Sequence, residues 1–477
     1  MAWPNFALAL PLPLLLMLAG CAIAPPPAHE LPALPSAFRE APAAAADWTS
    51  ASPAAAQGPW WTVFADPRLD QLVAQATEHN ASIELAAASL ARTRAALHGA
   101  DAARAPQLGL NASATRQGGP LINAAGSEGN LFGASTSQAW ELDLFGRLSH
   151  LADAAAHDLD AAGARLQDTR LLVQADVAQA YFGLRALDAE SALLDAIEHE
   201  YRTQIELAAR RAAAGYGTAY ELDLLRGEAA AARADALALA RRRAELEHAL
   251  AALTGQLASS FALQTADWDT PLPAVPAGLP STLLVRRPDV NAARAGVMAA
   301  RERGEAARRA WFPSLALTAA FGFASPQLAQ LADGSSQAWS LAGLLAQPVL
   351  DGGRRQATLG QADAQTQAAW AAYRERILVA FRDTEDQLAA LRLLAAEEAA
   401  RRETQSASER ALQMAQSRAA RGLASQLEVA VVRRDALQAR RQLVRVKLAR
   451  FQATVGLVRA LGGGWGEFAT DRPIQPL

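Results

Sequence analysis

Residues 135–159 read STSQAWELDLFGRLSHLADAAAHDL, and the spacing of the apolar side chains changes at their centre. Before Gly146, Trp140, Leu142 and Leu144 alternate with Glu141 and Asp143, the period of a strand with one apolar face. After it, Leu148, Leu151, Ala155 and Leu159 recur at intervals of three and four. The pattern runs on through Ala162, Leu166, Val173, Val177, Leu184 and Leu187 as a coiled-coil-like seam. No proline interrupts Gly146 to Ala214. A helix of about seventy residues, rising 1.5 Å at each, would be about 100 Å long.

This junction occurs twice. Gly146-Arg147 returns as Gly353-Arg354, Pro106 as Pro313, Gly215 as Gly422 and Gly255 as Gly462, each 207 positions on. Four landmarks at one offset define an internal repeat: residues 60–255 form the first copy and 281–464 the second. The proline-bearing segment 256–280 joins them, and 465–477 is a C-terminal tail. Each copy follows one plan. A helix opens the first at Asp66-Pro67, an N-cap and N1 pair, and reaches Ala105 with a break near Asn80; its counterpart spans Asp289 to Trp311. A strand follows, with Leu108, Leu110, Ala112 and Ala114 on one face, matched by Leu315, Leu317, Ala319, Phe321 and Phe323. The return strands are expected at Ser135–Phe145 and Gln337–Leu350, after loops at Gly118–Gly133 and Pro326–Ser336. The long helices then end at Gly215 and Gly422, natural residues for a left-handed helix terminus. Thr218 with Glu221, and Ser425 with Glu428, are capping boxes that open return helices running to Thr254 and Leu461.

Composition narrows the function. The chain is 51% hydrophobic and 19% charged, with a formal net charge of -3, which argues against a nucleic-acid partner. Its arginines, spread among acids along the helical segments, read as a solvated face. The seven histidines are dispersed; His150 and His157 share a helix with no cysteine or carboxylate cluster beside them, so neither a metal site nor a catalytic constellation is expected. The single cysteine, Cys21, follows a short apolar run from Phe6 to Gly20, too short to span a bilayer. Leu18-Ala19-Gly20-Cys21 resembles the bacterial lipobox, which makes 1–20 a signal peptide and Cys21 the lipid attachment, carrying an N-acyl diglyceride. The signal departs from the usual pattern in having no Lys or Arg before Cys21. The Pro/Ala-rich stretch 21–59 reads as an extended tether.

Strands of about ten residues with one apolar face suit a membrane, where an open sheet edge is not tolerated. Four cannot close a barrel, for which about eight is the practical minimum; two, three or four chains would supply eight, twelve or sixteen. Here the chain resembles the outer-membrane efflux protein family, TolC-like, in its NodT-type lipoprotein branch. The resemblance rests on Trp60-Trp61 with Phe64, Asp66, Pro67, Leu69 and Leu72; on Trp140 to Arg147; on Leu283-Leu284 with Arg286 to Val290; on Phe312-Pro313; on Leu350 to Arg354; and on Leu461 to Trp465. It implies a mostly α fold with a membrane β-barrel: a homotrimer with a twelve-stranded barrel in outer-membrane lipid and a twelve-helix periplasmic tube. It further implies a passive channel, not an enzyme and without a cofactor, serving an RND-type tripartite efflux pump that exports small molecules. The helix tips at Gly215, Thr218, Glu221, Gly422, Ser425 and Glu428 would dock a periplasmic adaptor (a membrane fusion protein) that holds an inner-membrane pump. Relatives close this end with inward acids. Glu206, nine residues before Gly215, is the gate candidate, since the other hairpin offers Gln413 and Gln416 with Arg418 and Arg421 beyond. Two other readings stand beside this one: a conduit for type I secretion of peptides or proteins, and a periplasmic coiled-coil lipoprotein without a pore.

Overall fold

The computed structural model describes residues 35–40, 59–118, 129–273 and 286–463. Cys21, the signal peptide and the tail 465–477 lie outside them, as do Pro276, Pro280 and the Leu283-Leu284 motif. After a 3-10 turn at Trp60–Phe64, the order is α1 (Pro67–His79), α2 (Ala81–Ala102), β1 (Gln107–Gln117), β2 (Gly129–Leu142), α3 (Arg147–Ala213) and α4 (Ala219–Leu253). Then come α5 (Pro288–Arg309), β3 (Ser314–Ser325), β4 (Gln337–Ala346), α6 (Arg354–Ala420) and α7 (Gln426–Ala460). The described residues are thus mostly helical, with four strands. Helices α3 and α6 each have 67 residues, α4 and α7 each 35, and α2 and α5 each 22. Each second member starts 207 positions after the first. No described helix is long and apolar enough to cross a membrane.

The described chain divides into two compact units. Of the described residues, one takes in 92–118, 129–160 and 293–374; the other takes in 35–40, 59–91, 161–273, 286–292 and 375–463. The first unit is built on an antiparallel meander in the order β1-β2-β3-β4. Its register settles the strand ends. β2 begins at Gly129, six residues before the expected start at Ser135, because Gly129 to Ser135 pair with Gln117 to Asn111. Gly133, at the end of that expected loop, serves the ladder: a Cβ on it would lie 2.9 Å from Ser113 Oγ, and one on Gly322 of the expected strand would lie 2.3 Å from the Ala134 carbonyl. β2 also stops at Leu142 rather than Phe145. There the Asp143 carboxylate accepts from the backbone N–H groups of Leu148 and Ser149, at 3.0 and 2.7 Å, and opens α3. β4 ends at Ala346 instead of Leu350, since Pro348 has no N–H for a ladder.

The second unit holds the main aromatic core. Phe182 lies 4.8 Å from Phe64 and 4.6 Å from Phe451, and Trp268 lies 4.9 Å from Phe451. The segment expected only to join the repeats therefore packs: Leu263 and Trp268 are buried. Lys447, the chain's one lysine, sits 4.3 Å from the Trp268 ring and donates to its carbonyl at 2.7 Å. Burial lowers the Lys447 pKa, nearby Asp269 and Glu398 opposing. Part of the expected free tether also packs. Phe38 is buried 6.1 Å from Phe381, and the Glu385 carboxylate accepts from the N–H groups of Arg39 and Glu40 at 2.8 and 3.0 Å.

The arginines are not all on a solvated face. Arg441 is 6% exposed and Glu190 5%, paired at 2.6 Å between helices α7 and α3; Arg433 reaches buried Glu200 at 3.0 Å. These partners lie more than 230 positions apart in sequence, a distance at which charge patterning along one helix gives no guide.

Candidate functional site

Three regions bear on function: the strand faces, the two helix reversals and the acids near them. In the sheet, directly paired residues share a face. One face carries Leu108, Leu110, Ala112 and Ala114 of β1, then Phe132, Trp140 and Leu142 of β2. It continues with Leu315, Leu317, Phe321 and Phe323 of β3, and Trp339, Leu341 and Leu345 of β4. These include large apolar side chains left in the open: Leu110 is 84% exposed and Trp339 76%. The other face is mostly small or polar, Leu131 and Leu344 excepted, with Asn111, Ser113 and Thr115 beside Ser137 and Ser135; Asn111 Nδ2 donates to Ser137 Oγ at 2.8 Å. Among the described residues β1 and β4 each pair on one side only. The sheet is therefore apolar on one face, polar on the other and open at both edges.

The reversals, in the second unit, are built alike. At the end of α3, Gly215 takes φ +81°, and the N–H of Tyr216 bonds the Arg211 carbonyl at 2.8 Å. At the end of α6, Gly422 takes φ +73°, and the N–H of Leu423 bonds the Arg418 carbonyl at 2.9 Å. Both are the 6→1 closure that a left-handed glycine permits. Thr218 Oγ1 then accepts from Glu221 N–H at 3.3 Å, and Ser425 Oγ from Glu428 N–H at 3.1 Å, the N-cap half of each expected capping box. The glutamate carboxylates reach back across the turn: Glu221 lies 3.6 Å from Arg211 and Glu428 2.9 Å from Arg418. Tyr216, Tyr220 and Leu423 are exposed around the turns.

Glu206 is exposed on α3, 3.9 Å from Arg210. On α6, Gln413 and Gln416 are exposed. The acid nearest them on that helix is Glu409, which accepts from Gln405 at 3.0 Å and from Arg440 at 2.9 Å, bonds that hold its carboxyl below the usual range. Sequence reasoning passed over Glu409, whose partner Arg440 lies on α7.

It also passed over a grouping in the first unit. Asp153 and Glu302 come together with His150, where no carboxylate cluster was expected. Asp153 is local, three positions along α3. Glu302 lies 152 positions away on α5, with Oε2 2.6 Å from His150 Nδ1, and only folding brings it there.

Comparison with known proteins agrees with this layout. The family model described as outer membrane efflux protein matches the chain twice, over residues 72–256 and 279–463, with starts 207 positions apart. The outer membrane protein OprJ of Pseudomonas aeruginosa is 34% identical over 472 residues, covering 95% of each chain. The pyoverdine export outer membrane protein OpmQ of Pseudomonas putida is 32% identical over 467 residues, 95% of this chain and 97% of its own. Among solved structures, the outer-membrane channel OprN superposes with a TM-score of 0.83 at 25% identity, over 92% of this chain and 99% of that one.

Proposed function

This chain belongs to the outer membrane efflux protein family, and from that premise we propose that it is the outer-membrane channel of a tripartite, RND-type pump, a passive duct for small molecules. Its place is the outer membrane, as the outer-membrane component of an efflux system. The reading rests above all on the four-stranded sheet with an exposed apolar face and two open edges. β1 and β4 have 11 and 10 residues, and each backbone group left unpaired in hydrocarbon is unfavourable by several kcal/mol. A lone sheet would forfeit tens of kcal/mol in lipid. Edge-to-edge pairing with further copies removes that penalty. Three copies give twelve strands, with Asn111, Ser113 and Thr115 toward the lumen and Leu110 and Trp339 toward lipid.

In this arrangement Cys21 carries the N-acyl diglyceride and anchors each chain of the homotrimer. The reversals at Gly215, Thr218, Glu221, Gly422, Ser425 and Glu428 dock the periplasmic adaptor that links the inner-membrane pump. Both turns are capped and rimmed by the exposed side chains of Tyr216, Tyr220 and Leu423, which suits a docking surface. Glu206, exposed before the first turn, is the gate candidate.

Planar-bilayer recording with heat-modifiable migration on gels tests the proposal. The expected result is a trimer-sized species that conducts and collapses to a monomer band on boiling. A protein that fractionates as soluble after signal removal and never conducts would overturn it. Glu206→Ala is expected to raise the open fraction and weaken block by cations; unchanged traces would remove Glu206 from the gate.

A further inference from the structure

His150 lies in the first turn of α3, just past Gly146, whose φ of +81° turns the chain out of β2. Asp153, three positions on, shares its face of the helix. Across from them α5 supplies Glu302, and one potential ligand atom from each residue lies within 4.8 Å of the others. His150 and Glu302 are half-buried, their side chains 26% and 23% exposed, while Asp153 is open to solvent. The cluster therefore has a protein side and a wet side. The next α5 residue, Arg303, is paired with Asp158 of α3, so its guanidinium is engaged one turn farther along the same contact.

One imidazole nitrogen and two carboxylates form a donor set for a borderline divalent ion, zinc above all. Calcium and magnesium take oxygen ligands, and soft ions take sulfur. Charge points the same way. Neutral imidazole with two carboxylates sums to −2, which one divalent cation cancels. Zinc bonds of about 2.0–2.1 Å place tetrahedral ligand atoms about 3.3 Å apart. The 2.6 Å His150–Glu302 contact would open slightly and Asp153 would close in, adjustments of side-chain torsions alone. We propose that His150, Asp153 and Glu302 form a zinc-type site, completed by water on its open side. The ion fastens the long helix of the first repeat to the short helix of the second. The role is structural and does not depend on what the channel carries.

The test uses the full chain, purified in detergent and stripped with chelator. Zn²⁺ is titrated by calorimetry and its effect followed by thermal unfolding, with Mg²⁺ as control. Expected are one Zn²⁺ per chain, a higher unfolding temperature with Zn²⁺ and no response to Mg²⁺. Removing a ligand should weaken binding by at least about tenfold, since loss of even an outer-shell partner of a ligand commonly has that effect. His150→Ala and Glu302→Gln should do so, with a smaller loss for Asp153→Asn. Glu302→Gln keeps the shape and a hydrogen bond to His150, so it separates lost ligation from lost folding; circular dichroism checks that it folds. Absence of saturable Zn²⁺ binding by the folded wild type would overturn the proposal. So would equal affinity in folded Glu302→Gln, which would place the ion elsewhere.

Discussion

The two repeats meet one structural problem with different chemistry. Where α1 gives way to α2, Asn80 Nδ2 donates to the Leu253 carbonyl at the end of α4, 2.9 Å away, and Asn80 Oδ1 accepts from the N–H groups of Ser82 and Ile83. The position 207 residues on is Arg287. Its Nη1 donates to the Ala460 carbonyl at the end of α7, 3.2 Å away, the counterpart of Leu253 at the same offset. Behind each tie sits a left-handed glycine, Gly255 against the His79 carbonyl and Gly462 against that of Arg286. The backbone plan is the same, but the side-chain duties divide. One amide both donates and accepts, so Asn80 ties α4 and caps α2. A guanidinium only donates, so in the second copy Pro288 opens α5 and Asp289 answers the charge, with Arg287 Nε and Nη2 at 3.0 and 2.8 Å. Asp383 adds a third contact. A repeat conserves where a carbonyl needs a donor; the chemistry of the donor is free to drift.

The largest break in this comparison should come from Arg287→Ala. It leaves Asp289 without its main partner in a site where Arg287 is 8% exposed, a loss of about 3–5 kcal/mol. Asn80→Ala removes only neutral hydrogen bonds and should lower stability by about 1–3 kcal/mol. Chemical unfolding of the two purified variants ranks them, and an equal or reversed order would show that the charged joint is no stronger in kind.

The glycines offer a second, smaller contrast. A Cβ at position 255 would lie 2.4 Å from the His79 carbonyl, against 2.8 Å from the Arg286 carbonyl at 462. Left-handed backbone alone penalises alanine by about 1–2 kcal/mol, so Gly255→Ala should exceed Gly462→Ala by the tighter contact. Thermal shift of each variant checks the order.

Acid should narrow the difference. Burial alone would raise the Asp289 pKa, but the Arg287 hydrogen bonds and charge outweigh it and hold the carboxyl below its ordinary value. A depressed carboxylate contributes stability above its unfolded pKa of about 3.9 and loses it as pH falls through the folded value. The effect of Arg287→Ala should therefore shrink as pH is lowered from about 4, while that of Asn80→Ala stays level. Unfolding measured between neutral pH and pH 3 tests this.

The smallest effects belong to the reversals. Thr218→Ala and Ser425→Ala each remove a cap worth about 1 kcal/mol. Arg211→Ala and Arg418→Ala break exposed ion pairs and should fall within about 1 kcal/mol, Arg418 the larger because its partner is nearer. Hydrogen exchange at residues 211–222 and 418–429 would register either.

Much of this was legible in the residues. The period change at Gly146, the 207-residue offset and the caps at Thr218 and Ser425 are local patterns, and local patterns fix local backbone. The β2 start at Gly129 was not legible, because glycine lowers strand propensity until a partner strand requires the close approach. Neither were the pairs Arg441–Glu190 and His150–Glu302, whose members are brought together by helix packing across the repeats.

By itself, then, the sequence determined the elements, their lengths to within a few residues, their twofold recurrence and the apolar face of each strand, since periodicity and capping act over at most a few turns. Only the tertiary structure decided which buried arginine meets which acid, that Phe38 and Trp268 pack instead of dangling, and that Arg287 does for one half what Asn80 does for the other. Those outcomes depend on partners tens to hundreds of positions away, and no spacing along a single helix or strand encodes them.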